Sequence, residues 1–155
     1  MTVEGLDRLL AEHDFFRGLE PEHLSFVAGC GSNVRFAEGD FLFREGEPAD
    51  RFYIVREGRV ALEVRGPGEG ALVLDTLGAN EVVGVSWLFP PYRWQFDARA
   101  VEPVRAVALD GACLREKCDR EPPLGYELMK RLSEISSQRM QSARLRMLDL
   151  YGRSG

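Results

Sequence analysis

The chain lacks any apolar run near the ~20 residues that a membrane span requires. Its start, MTVEGLDRLLAEHDFF, is acidic where a secretion signal would be basic and then strongly apolar. A cytoplasmic protein without a membrane segment is therefore expected. Potential metal ligands are sparse. Two histidines, His13 and His23, and three cysteines, Cys30, Cys113 and Cys118, match no zinc or iron–sulfur spacing. No metal site is predicted, and the odd number of cysteines predicts buried or idle thiols in preference to a redox centre. Positive charge is in deficit too, with 20 Lys and Arg against 25 Asp and Glu, a net charge of −5. No global basic field can supply affinity for nucleic acid. Arg139, Arg144, Arg146 and Arg153 are diluted by Glu127, Glu134 and Asp149, which reads as a solvated face and not a DNA contact. Also missing are a nucleophile with a histidine partner, an HExxH or P-loop signature, and a convergent pair of carboxylates, so no enzyme is predicted.

What is present is the balance of an ordinary globule, 45% hydrophobic and 29% charged over 155 residues. A single domain over 1–155 is expected, with N-terminal helices (1–32), an all-β barrel or sandwich (33–114) and C-terminal helices (115–155). Leu6, Leu9, Leu10 and His13 share one helical face, Gly18 breaks it, and Pro21 restarts a helix carrying Leu24, Phe26 and Val27. From Asn33 onward, short β-branched and aromatic runs alternate with glycine-bearing turns. In RVALEVRG, Val60, Leu62 and Val64 share a face, and GPGEG (66–70) turns the chain into ALVLDTLG, a hairpin. In PVRAVALD, Val104, Ala106 and Ala108 oppose Arg105, Val107 and Leu109, a late strand closing the sheet. Asp97 and Arg99, two apart on a strand, share a face as an ion pair or two solvated charges.

Beyond a stop at Pro122-Pro123, LGYELMKRLSEISSQRMQSARLRMLDLY reads as one long helix with two apolar stripes. Leu128, Leu132 and Ile135 fit a face docked on the barrel. Met129, Ser136, Met140, Ala143, Met147 and Leu150 run past the point where a small barrel could cover them. That second stripe either folds back on its own domain or pairs with a second chain. A homodimer is the favoured expectation, because small and flexible side chains suit close helix approach.

The order of these features resembles a known family. FFRGLEPEHL (15–24), the glycines at 39, 46 and 58 in FAEGDFLFREGEPADRFYIVREGRVAL (36–62), and TLGANEVVG (76–84) are similar to the cyclic-nucleotide-binding domain family. That family includes the sensor module of catabolite-activator-type regulators. The resemblance implies a mainly β fold with flanking helices: a double-stranded β-helix (jelly-roll) barrel with N-terminal helices and a long C-terminal helix. In the residue-level reading, Gly39, Gly46 and Gly58 serve turns. In the family a G-E-[LIA] segment, followed about ten residues later by R-[AS]-[AS], holds the ribose and the cyclic phosphate. Here Gly84 keeps its place, Val85 stands where the glutamate belongs, and Trp94 falls at the arginine position with Arg93 one residue off. Trp87, Phe89, Tyr92, Trp94 and Phe96 add bulk, read as core filling in preference to a stacking platform.

The expected function is a non-enzymatic regulatory or interaction module of this type, dimerising through its last helix and docking to an unknown protein partner. It is expected not to bind cyclic AMP in the usual way, and no helix-turn-helix follows within these 155 residues. The alternative is a sensor that binds a cyclic nucleotide or another small anion through Gly84, Val85, Ser86, Arg93 and Trp94.

Overall fold

A computed structural model describes residues 3–66, 68 and 70–154. The chain opens with helix α1 (Val3–Glu12), a 3-10 turn (Asp14–Phe16) and helix α2 (Pro21–Ala28). Strands β1 (Gly31–Phe36), β2 (Phe41–Phe43), β3 (Arg51–Glu57), β4 (Val60–Arg65), β5 (Ala71–Leu77), β6 (Val82–Val83), β7 (Asp97–Ala100) and β8 (Val104–Asp110) follow. Helices α3 (Gly111–Arg120) and α4 (Pro122–Ser154) end the chain. All strand pairings are antiparallel, in two four-stranded sheets ordered β1-β8-β3-β6 and β2-β7-β4-β5. This is the mainly β jelly roll with flanking helices that the resemblance implied.

Alternation along β8 assigns the two cores. Val104, Ala106 and Ala108 face the other sheet, where they meet Val60 and Leu62 of β4 and Ala98 and Ala100 of β7. Val107 and Leu109 point the opposite way, under the helices, with Phe52 and Ile54 of β3. The central strands β3 and β8 of the first sheet are thus buried on both faces, and α1, α2, α3 and the start of α4 cover that sheet through Leu10, Phe16, Val27, Leu114, Leu124, Leu128 and Leu132. The expected docking face of the last helix is observed, with Ile135 packed beside it. The β4–β5 hairpin also forms as read, from Val60↔Leu77 to Arg65↔Ala71, although Pro67 and Glu69 of its turn lie outside the described residues.

Several local expectations are corrected. Helix α1 stops at Glu12, so His13 does not continue its apolar face. Its Nδ1 instead accepts the Phe15 N–H and its Nε2 meets the Val55 carbonyl, both at 3.2 Å. Strand content begins at Gly31 and ends at Asp110, inside the 33–114 expectation at one end and ahead of it at the other. The cause is a cap: the Asp110 carboxylate accepts the Cys113 N–H and starts α3 four residues early. Pro122 opens α4 where a stop was read, because a proline lacks only an N–H that the first helical turn leaves unpaired anyway. Cys30 and Cys113 are not idle thiols: they form a disulfide with Cα atoms 5.7 Å apart, and Cys118 is the free cysteine.

The turn glycines at 39, 46 and 58 all have positive φ. Gly58 does more than turn, since a Cβ there would lie 2.2 Å from the Pro103 carbonyl oxygen.

Candidate functional site

The segment from Gly84 to Ala100 is built by two constraints. After β6 the backbone swings through Gly84 at φ +101°, where a side chain would also strike Trp94 Cη2 at 2.6 Å. Farther on, the chain is zipped to the β2–β3 loop: Trp94 N donates to Glu47 O (3.0 Å), Gly46 N to Trp94 O (2.9 Å) and Ala49 N to Tyr92 O (2.7 Å). Extended backbone alternates its side chains, so this pairing sends Trp94 inward and Arg93 outward.

Trp94 is 3% exposed, and its ring lies flat on Phe43, centroids 3.6 Å apart and planes 6° off parallel. Phe43 also contacts Tyr53 and Phe96, so an aromatic stack occupies the space between the sheets beside Leu42, Val83 and Ala98. Burial pushes the Tyr53 phenol above its ordinary pKa, and its hydroxyl donates to the Leu42 carbonyl. The space left beside the stack is a recess of about 190 Å³, with Phe43, Tyr53 and Trp94 on one side and Glu47, Asp50 and Arg51 on the other. Small-molecule pockets commonly offer roughly 300–1,000 Å³.

The other candidate residues divide. Arg93 is exposed and donates to the Gly46 carbonyl at 3.3 Å. Val85 is half-buried against the helix-side core, and Ser86 opens the 3-10 turn Ser86–Leu88. Trp87 is fully buried with its ring parallel to Phe52 at 4.9 Å. Gly84 and Trp94 therefore meet, while Arg93 is turned to the surface. Of the five clustered aromatics, both tryptophans are core, Tyr92 and Phe96 are half-buried, and Phe89 is exposed.

Two participants escaped the sequence reading. Phe43, the partner of Trp94, reads in FLFREG as one more strand aromatic. Arg115 of α3 donates to the Trp87 carbonyl and lays its guanidinium 4.4 Å over the Tyr92 ring. It fastens the loop to the helix that leads into α4, and only its place in the first turns after β8 could have hinted at that reach.

Asp97 and Arg99 do not pair with each other. Asp97 accepts the Glu45 N–H at 2.7 Å, and Arg99 makes a two-pronged bond to Glu63 at 2.8 and 3.1 Å. Glu63 is nearly buried (3% exposed side by side with Val64 on β4), whereas the Arg99 side chain keeps 33% exposure. The carboxylate raises the arginine pKa through its hydrogen bond and charge.

Along α4, Met129, Ser136, Met140, Ala143, Met147 and Leu150 are all exposed, Met140 at 75% and Met147 at 56%. The helix stands off β5 and β6 across a groove of about 670 Å³. Ion pairs Asp14–Arg17, Glu127–Arg131 and Asp75–Arg146 line it. Arg139 donates to the Val82 carbonyl from the groove wall, and burial lowers its pKa. Exposed Leu72, Val73 and Leu74 on edge strand β5 extend the uncovered apolar surface. Among the described residues no helix is long and apolar enough to cross a membrane.

Comparison with known proteins follows the same outline. The family described as cyclic nucleotide-binding domain matches residues 33–121. A CRP-like cAMP-activated global transcriptional regulator of Mycobacterium tuberculosis is 30% identical over 128 residues, 83% of this chain and 57% of that protein. The chain thus spans less than three-fifths of that relative's length. The solved N-terminal domain of a transcriptional regulator from Streptomyces coelicolor is 28% identical, with a TM-score of 0.69 over 86% of this chain and 94% of that one. A cyclic nucleotide-binding domain from Methylobacillus flagellatus superposes with a TM-score of 0.78 over 95% of this chain and 83% of that one; at 18% identity it speaks to the fold alone.

Proposed function

The chain belongs to the cyclic nucleotide-binding domain family, and from that premise we propose a non-enzymatic regulatory module whose ligand seat is filled by its own tryptophan. The observation that carries this reading is Trp94, stacked on Phe43 and pressed against Gly84, at the position where the family's phosphate-binding arginine is expected. Val85 offers a ribose no acceptor, and Arg93 lies on the surface. Burying a phosphodiester without its cation costs several kcal/mol, and an unpaired ribose hydroxyl adds ~1–3 kcal/mol, together enough to turn micromolar affinity into millimolar. The mycobacterial relative is described as cAMP-activated; this chain departs from the family motif at the two residues that matter most for that ligand.

The output is assigned to α4. Its 33 residues extend about 50 Å, and its outer turns present Met140, Ala143, Met147 and Leu150 to solvent. Pairing of two copies along this stripe covers it, and a protein partner completes the module. With a net charge of −5, direct DNA contact is not assigned to these residues, and the place of action is the cytoplasm.

Two measurements test the reading. Thermal melts with millimolar cyclic mono- and dinucleotides stay flat, because a ligand that binds only the native state would raise the midpoint. Sedimentation equilibrium gives a dimer that Met140→Glu with Met147→Glu converts to monomer. A ligand-dependent rise, or a monomeric parent protein, contradicts the corresponding half.

A further inference from the structure

The disulfide joins two parts of the chain that the eight strands separate in sequence and that the β1–β8 pairing brings together in space. Cys30 lies between α2 and β1, Cys113 lies in the first turn of α3, and the two are 83 residues apart in sequence. Everything between them is barrel, so the bond fastens the N-terminal helices to the helix that leads through Glu121 into α4. Two further contacts cross the same seam without needing the bond. Asp110 N donates to the Cys30 carbonyl at 2.9 Å, and Lys117 Nζ donates to the Phe26 carbonyl at 2.7 Å.

We propose that Cys30–Cys113 is a reversible thiol–disulfide switch that clamps α3 to the N-terminal helices when oxidised and loosens it when reduced, with low-molecular-weight thiols and disulfides as its redox partners. The inference rests on the cytoplasmic reading above, because disulfides in a reducing compartment are commonly transient and redox-sensing. The exchange is balanced. A glutathione thiolate attacks Sγ of Cys113, the more exposed residue of the pair, releasing the Cys30 thiolate, which takes a proton. A second glutathione thiolate attacks the sulfur of the bound glutathione and expels the Cys113 thiolate, which takes a proton, leaving two protein thiols and one glutathione disulfide; oxidation runs the same steps backwards, two electrons and two protons passing to glutathione disulfide. The two seam hydrogen bonds hold the reduced thiols near each other, so re-formation needs no search. Cys118, on the same helix, is the free cysteine and takes no part in the bond; it is half-buried, and burial pushes its thiol pKa up.

The experiment uses the purified protein in buffers of varied reduced-to-oxidised glutathione ratio. Maleimide labelling counts free thiols by mass, hydrogen exchange follows α3, and a thermal melt follows stability. One label is expected under oxidising conditions and three under reducing conditions, reversibly. Reduction is expected to lower the midpoint by roughly 10–15 °C, the scale for opening a loop of this length in a domain of this size. Amide exchange in α3 is expected to quicken about tenfold or more while β3 and β8 remain protected. The variant with Cys30→Ser and Cys113→Ser is expected to behave as the reduced protein at every ratio. Unchanged α3 exchange on reduction would overturn the clamp. A bond that glutathione opens only when the protein unfolds, or that never forms, would overturn the switch. Because thiol count and exchange are read in vitro, the compartment does not enter the result.

Discussion

Replacing Trp94 by alanine is the perturbation that bears most heavily on the account. The indole is 3% exposed and stacked on Phe43 at 3.6 Å, and Gly84 fits against its edge. Removing a buried tryptophan costs about 3–5 kcal/mol, including ~0.5–1.5 kcal/mol for the stacked pair. With about 4 kcal/mol lost, and roughly 2–4 °C per kcal/mol for a domain of this size, the thermal midpoint drops by about 8–16 °C. Urea unfolding followed by far-ultraviolet circular dichroism is the suitable assay, because tryptophan fluorescence changes with the substitution itself. The cavity so made has the shape of the ring that left it. Free indole at about ten times its dissociation constant therefore returns roughly 1.4 kcal/mol to the variant and nothing to the parent. A loss below about 1 kcal/mol, with no response to indole, would mean that the indole does not fill the seat, and the reasoning from occupancy would fail.

Other substitutions follow from the same geometry. Val85→Glu with Trp94→Arg restores the family's two ligand-facing groups and is expected to create calorimetric heat with cyclic AMP where the parent shows none. Arg115→Ala removes the bond to the Trp87 carbonyl and the cation on Tyr92; hydrogen exchange in residues 86–94 quickens, and stability drops by about 1–2 kcal/mol. In the Glu63–Arg99 pair the costs are unequal. Arg99→Ala strands a nearly buried carboxylate and costs about 3 kcal/mol, whereas Glu63→Ala leaves a guanidinium that water can reach and costs about 1 kcal/mol, compared by urea midpoints. His13 sets a pH dependence. Burial depresses its pKa in the folded state, so the unfolded chain binds more protons below about pH 6.5, and the stability present above that value is lost as pH falls toward the folded pKa. Urea midpoints at pH 7.5 and 5.5 show that loss, and His13→Gln reduces it.

Much of the fold could be read from short-range pattern. Alternation places Val60, Leu62, Val104, Ala106 and Ala108 in one core and Val107 and Leu109 in the other, as the structure has them, because a strand buried on one or both faces leaves little freedom of register. The core-filling role of Trp87 and Trp94 was equally legible, since clustered aromatics usually pack inside. What stayed hidden depends on tertiary proximity. Arg99 finds Glu63 and not Asp97 because β7 pairs with β4, Ala61 opposite Arg99, which one strand's spacing does not reveal. Cys30 and Cys113 meet only after β1 and β8 have paired along their length. Pro122 carries the same local signal for ending a helix as for starting one, and here it serves both, since α3 ends at Arg120 and α4 begins at Pro122. Phe43 became part of the site only through the zipped loop that turns Trp94 onto it.

Calorimetric titration of cyclic AMP into the unmodified protein, repeated with Arg93→Ala, tests the central claim most directly. A seat filled by Trp94 predicts no saturable heat at millimolar ligand in either protein. Saturable heat in the parent that disappears with Arg93→Ala would show that the loop opens and holds a phosphate after all, and that the tryptophan is a movable cover and not a permanent occupant.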